Sequence, residues 1–101
     1  MPVVGSVLGY NIFFSSNEGY PLEPIHVYVD RKPSAKSPKF WLLKNGDIQV
    51  AKKGFLKDKE IAVIVNCLRV QYAQLVIAWK KHFSVENVTF YKESQEKNLQ
   101  R

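Results

Sequence analysis

Between Ile61 and Trp79 only Arg69 is charged, and large apolar side chains recur at Ile61, Val65, Leu68, Tyr72, Leu75 and Trp79. Steps of four and three bring all six to one side of an α-helix. The β-branched run Ile61 to Val65 suits a strand locally, but the periodic pattern is far longer than a strand. A helix from about Asp58 to Phe83 is therefore predicted. Asp58 and Glu60 at its start and Lys80 and Lys81 at its end complement the helix dipole. A second apolar line, Val63, Cys67, Val70 and Ile77, runs along nearly the opposite side. A helix apolar on two sides needs two coverings, and one small sheet supplies one.

The same stretch invites a membrane reading. Asn66, Arg69, Gln71 and Gln74 sit near its middle, and a central Arg alone costs about 2.5–3.5 kcal/mol on insertion scales. A soluble helix is expected. The first sixteen residues hold no Lys or Arg, and Pro2, Gly5 and Gly9 break up the apolar run, so no signal peptide is read there. With one cysteine, Cys67, no intrachain disulfide can form, which fits a reducing compartment. The expected location is the cytoplasm.

Ahead of the helix the period changes from 3.6 to 2. Tyr10 to Phe14 is aromatic and β-branched and reads as a strand. A loop with two prolines follows at residues 17–24. Ile25 to Val29 alternates, with Ile25, Val27 and Val29 toward the core and His26, Tyr28 and Asp30 away from it. After a polar loop, Arg31 to Pro38, two apolar runs flank Asn45-Gly46, the preferred pair for a type I′ hairpin turn. A two-residue turn pairs Lys44 with Asp47 and turns Trp41, Leu43, Ile48 and Val50 toward the core, leaving Phe40 and Leu42 on the opposite face. A short strand is expected at Val88 to Tyr91, and a disordered polar tail at 92–101. The predicted fold is α+β: an antiparallel sheet of about four strands packed on one long C-terminal helix, a single domain over residues 1–91.

Charge is uneven. Residues 1–30 carry three acids and no base (−3). Residues 31–60 carry nine bases and three acids (+6). The remainder carries six bases and three acids (+3). The basic middle could attract phosphates or an acidic protein, although lysines on sheet edges also prevent edge-to-edge aggregation.

The order of motifs is itself informative. The Met1-Pro2 start, Gly9 before an aromatic strand, Glu23 to Val27, Lys39 to Leu42, Ala51 to Phe55 and the helix with Trp79 resemble the short bacterial proteins grouped as domain of unknown function 4160. The resemblance covers roughly residues 1–83. It implies the fold just described and, because such proteins often look like half of a two-gene cassette, a small cognate partner, as in a toxin–antitoxin pair. Relatives commonly show His-Val-His where this chain reads His26-Val27-Tyr28, so a two-histidine site is not carried over. Lys52-Lys53 stands where relatives usually have a polar residue such as Asn.

Three function classes follow from these residues. The first is a protein-interaction module, homodimeric or bound to a small protein, using Val63, Cys67, Val70 and Ile77. The second is a small ribonuclease-like toxin with His26 as general acid or base and nearby lysines on the phosphate. The third is a nucleic-acid-binding domain in which Lys39, Lys44, Lys52 and Lys53 flank Tyr28 and Phe40 as a stacking platform. His82 is explained by the helix C-terminus and Cys67 by its apolar line. No phosphate-binding loop, nucleophile motif, metal motif or cofactor motif is present in the sequence, and the interaction module leads.

Overall fold

The computed structural model describes residues 2–15 and 22–92. Five strands, β1 (Val3–Val7), β2 (Tyr10–Phe13), β3 (His26–Asp30), β4 (Lys39–Leu42) and β5 (Ile48–Lys52), precede one helix, α1 (Asp58–Phe83). Each strand pairs antiparallel with the next, giving the sheet order β1-β2-β3-β4-β5. The α+β class and the single long helix are as expected, with one strand more than the sequence indicates. From residue 93 the expected tail lies outside the described residues, as do residues 16–21 of the first loop.

The additional strand is β1. Its Gly5 breaks the alternation that marks a strand, and the β1–β2 register shifts between Val3 and Gly5. Val7 pairs with Tyr10 across a two-residue turn in which Leu8 (φ 52°) and Gly9 (φ 79°) both adopt positive φ. That is the condition a type I′ turn imposes, met here by a leucine that gives no sequence signal for it.

The β4–β5 hairpin departs from the expected register. Leu43 N–H donates to the Asp47 carbonyl at 2.8 Å and Gly46 N–H to the Leu43 carbonyl at 3.0 Å, so the loop holds three residues. The Asn45 side chain accepts the Asp47 N–H at 2.9 Å, and Gly46 (φ 89°) takes the left-handed position of a bulged turn. Pairing becomes Phe40 with Val50, Trp41 with Gln49 and Leu42 with Ile48. A slip of one residue exchanges the two faces. Phe40, Leu42 and Ile48 are buried in the core, with Val50 packed against it, and Trp41 is on the other side. The expected assignment of the β4 side chains is thereby reversed.

The core lies between α1 and one face of the sheet, where Ile12, Val27, Val29, Phe40 and Leu42 meet Ile64, Leu68, Leu75 and Trp79. Ile61, Val65 and Tyr72, half of the expected stripe, are half-buried along its flanks. The edge strands β1 and β5 come nearest the helix backbone, so the sheet curls around it. A Cβ on Gly5 would lie 2.8 Å from Gln71 Oε1, so this glycine permits the close approach of β1. On the other flank the Tyr72 hydroxyl donates to the Leu43 carbonyl at 2.6 Å, and Arg69 Nε to Asp47 Oδ1 at 2.8 Å.

The helix ends follow the expected chemistry. The Glu60 carboxylate accepts the Lys57 N–H at 3.0 Å and the Tyr10 hydroxyl at 3.1 Å. Both bonds hold its pKa below the usual carboxylate value, the backbone bond most. At the other end Ser84 adopts φ 55°, and the Val85 N–H closes on the Lys80 carbonyl at 3.0 Å. Beyond it, residues 85–91 form an irregular strap, bent at Glu86 and turning at Tyr91, and not the strand expected at Val88 to Tyr91. The strap makes one backbone bond to the β3 entry, Ile25 N–H to the Thr89 carbonyl at 2.9 Å. Val85, Val88 and Phe90 pack against the core from this strap.

Candidate functional site

The outward face of α1 is the first surface that the fold leaves open. Val63 is 48% exposed, Val70 87% and Ile77 65%, and they recur every seven residues along one line. The sheet curls toward the other side of the helix and cannot reach them. Cys67, expected on the same line, is half-buried: Gln71 Nε2 donates to its Sγ at 3.0 Å, on the flank that faces β1. Asn66 and Gln74 border the line and are exposed, and Asn66 Oδ1 accepts from Arg69 Nη1 at 3.0 Å.

The sheet face turned away from α1 is the second. Phe13, His26, Tyr28, Lys39 and Trp41 share it, as their register places them side by side. Its rings form a continuous layer. Phe13 stacks on Tyr28 at 5.7 Å between centroids, and His26 meets Tyr28 at 5.3 Å and Trp41 at 5.4 Å edge to face. Tyr91 of the strap lies flat on Trp41. Lys39 Nζ lies 4.2 Å from the Trp41 centroid and 3.2 Å from Glu23 Oε1.

His26 projects from this face as expected, but it is 0% exposed. Trp79 closes on it from the helix at 5.3 Å, and its Nδ1 donates to the Pro24 carbonyl at 2.8 Å. A carbonyl oxygen only accepts, so Nδ1 carries the hydrogen. A phosphodiester would reach this ring only after Trp41 or Trp79 moved.

The basic candidates divide between the two ends of the hairpin. Lys39 pairs with Lys52 at one end of the hairpin. Lys44 lies in the turn at the other, about 16 Å away at the rise of a strand. Lys52 Nζ donates to the Ala35 carbonyl at 2.6 Å, and Lys53 Nζ to Asp58 Oδ1 at 2.8 Å. Phe40, named as a stacking surface, is fully buried on the core side. The register slip that moved it replaced it with Trp41. A feature without a sequence signal is Asp30, which organises the following loop: Ser37 Oγ donates to its Oδ2 at 2.7 Å, and Arg31 N–H to its Oδ1 at 2.7 Å.

A cavity of about 260 Å³ opens between Trp79, Leu22, Glu23 and the strap residues Val85 and 87–89. Among the described residues no three His, Cys, Asp or Glu side chains are grouped to hold a metal ion. The helix is long and apolar enough to cross a membrane by length and composition, yet it packs Ile64, Leu68, Leu75 and Trp79 into the core.

Comparison with curated proteins and with solved structures gave no match. A family model described as "Domain of unknown function (DUF4160)" matches residues 9–80, from the β1–β2 turn to the last turns of the helix. With most of its length so matched, the chain belongs to the DUF4160 family.

Proposed function

We propose that this chain is a protein-interaction module whose docking element is the outward face of α1, meeting a second copy or a small cognate protein. One observation carries the reading: three β-branched side chains, Val63, Val70 and Ile77, stand in line, half to nearly fully exposed, on the side of the helix opposite the one packed into the core. Apolar surface of this kind marks contact sites. Burying each such side chain favours association by roughly 1.5–3 kcal/mol before the entropy cost of binding. The family likeness favours a cognate partner, as in a toxin–antitoxin-like pair.

The alternatives draw less from the geometry. A ribonuclease would need its histidine open to substrate, and His26 is sealed. A stacking platform would need a bare ring, and the Trp41 indole already carries Tyr91 and Lys39.

The test uses the intact chain and its Val70→Glu variant as baits, followed by reconstitution of any captured protein from purified components in a sedimentation experiment. A complex or self-association that disappears with Val70→Glu, while far-UV circular dichroism is unchanged, is the expected result. Assembly indifferent to Val70→Glu, or a chain that remains monomeric with no reconstituted partner, overturns the reading.

A further inference from the structure

We infer that the occupant of the α1 face is an apolar helix of another protein carrying acidic residues toward its two ends, and not a second copy of this chain. This inference rests on the interaction reading above and specifies the partner.

The argument begins with the ends of the line. One turn before Val63 stands Lys59, and one turn after Ile77 stands Lys81; both are exposed. At 100° per residue each falls within 20° of Val70 around the helix axis, so the line begins and ends in a lysine. Neither takes part in an ion pair among the described residues, and the centre of this face carries no acid. The nearest acids on the helix are already engaged, Asp58 by Lys53 and Glu60 by Tyr10 and the Lys57 N–H.

Self-pairing centred on Val70 sets lysine against lysine in both directions. An antiparallel pair with Val70 on the two-fold axis sets Val63 against Ile77 and, by the same sum of residue numbers, Lys59 against Lys81. A parallel pair sets each lysine against its own copy. On the line itself lysine meets lysine in either direction, although the same sum sets Glu60, already bonded to Tyr10 and the Lys57 N–H, against Lys80. A helix with acids about 22 positions apart, a rise of about 33 Å, places one against each lysine.

The shape of the face favours a helix over a lipid surface. Helices that lie in a bilayer interface show a broad apolar arc with bases along its polar face. Here the apolar line is one residue wide, bordered by Asn66 and Gln74, with its bases at the ends. β-branched residues at every seventh position, with the small Ala73 between, form the seam that another helix enters.

The experiment is a display selection on the folded protein. The library is a 25-residue amphipathic helix with seam positions drawn from Ala, Val, Ile and Leu and flanking positions drawn from Glu and Lys. Binders lost on Val70→Glu should be enriched in Glu at both ends and bind about tenfold tighter than their charge-reversed twins. A Lys59→Glu/Lys81→Glu double variant should select Lys instead. Sedimentation of the chain alone should show a monomer. Three results overturn the inference and leave the interaction reading standing: Val70-dependent winners blind to charge, winners unchanged on the double variant, and a dimer that Val70→Glu dissolves. Two results sink both: a selection with no Val70-dependent winner and no dimer, and Val70-dependent binding confined to vesicles with 30% phosphatidylserine.

Discussion

The Trp41 ring lies parallel on that of Tyr91, with centroids 4.7 Å apart and planes 5° from coplanar. This contact fastens the strap to the far face of β4, beside the buried His26. Removing the second ring by Tyr91→Ala should cost on the order of 1–2 kcal/mol, from the aromatic pair and the apolar area it covers. Iodide quenching of tryptophan fluorescence should rise for one of the two indoles. Unchanged quenching and an unchanged denaturation midpoint would show that the strap does not hold Trp41.

The hairpin register separates two neighbouring leucines. Leu42 is fully buried and Leu43 half-buried. Leu42→Ala should therefore lower stability by about 2–5 kcal/mol, and Leu43→Ala by clearly less. Urea denaturation of the two variants decides it. The reverse order would restore the two-residue Asn-Gly turn.

Two glycines at positive φ differ in their surroundings. A Cβ on Gly46 meets nothing within 4 Å, whereas one on Gly54 would lie 2.9 Å from both the Lys36 carbonyl and Pro38 Cγ. Gly46→Ala should cost about 1 kcal/mol of backbone strain. Gly54→Ala should cost more than roughly 2 kcal/mol, since a backbone carbonyl must also give way. Equal midpoints in denaturant would contradict the close packing of the loop before β4 on Gly54.

On the helix, Val70 and Leu68 are two residues apart and opposite in burial. Val70→Glu should move the unfolding free energy by no more than about 0.5 kcal/mol, as for an ordinary surface site. Leu68→Ala should cost about 2–5 kcal/mol. If Val70→Glu proves as damaging as Leu68→Ala in thermal melts, the outward face is part of the monomer core.

Asp47 binds the Ile48 N–H and Arg69, and its pKa is lowered from 3.8, the backbone bond contributing most. A carboxylate whose folded value lies below its unfolded one stabilises the fold above the unfolded value. That contribution disappears as pH falls through the folded value. Asp58, lowered chiefly by its bond to Lys53, has the same sign. The gap in melting temperature between the natural chain and Asp47→Asn should be present at pH 7 and close below about pH 4. A gap that persists at pH 2.5 would remove the linkage.

How much of this was legible depended on whether local chemistry or tertiary context decided each element. The helix could be read from Asp58 to Phe83 because its period and its end charges agree. β3 was legible, with its faces, from strict alternation. β1 was not, because Gly5, set close against Ile12 and Gln71, interrupts its alternation, and Leu8 carries no turn signal. Asn45-Gly46 marked a turn correctly, but the dipeptide fits a two-residue or a three-residue loop, and the choice decides which face Phe40 and Trp41 occupy. The burial of His26 depends on Trp79, far along the chain, and no local pattern near residue 26 records it. The open line of Val63, Val70 and Ile77 was visible as an excess of apolar positions on the helix, and the curl of the sheet explains why it stays uncovered.

The sheet has an apolar layer on each side, α1 with Val85, Val88 and Phe90 of the strap against one and Tyr91 against part of the other. Both covers follow Lys52, the last residue of β5, in the chain. During synthesis the five strands therefore leave the ribosome before either cover exists, with two greasy walls and open edges exposed together. For that interval the nascent sheet is a natural client for chaperones, and slowed translation after β5 should raise misassembly more than a pause within the helix.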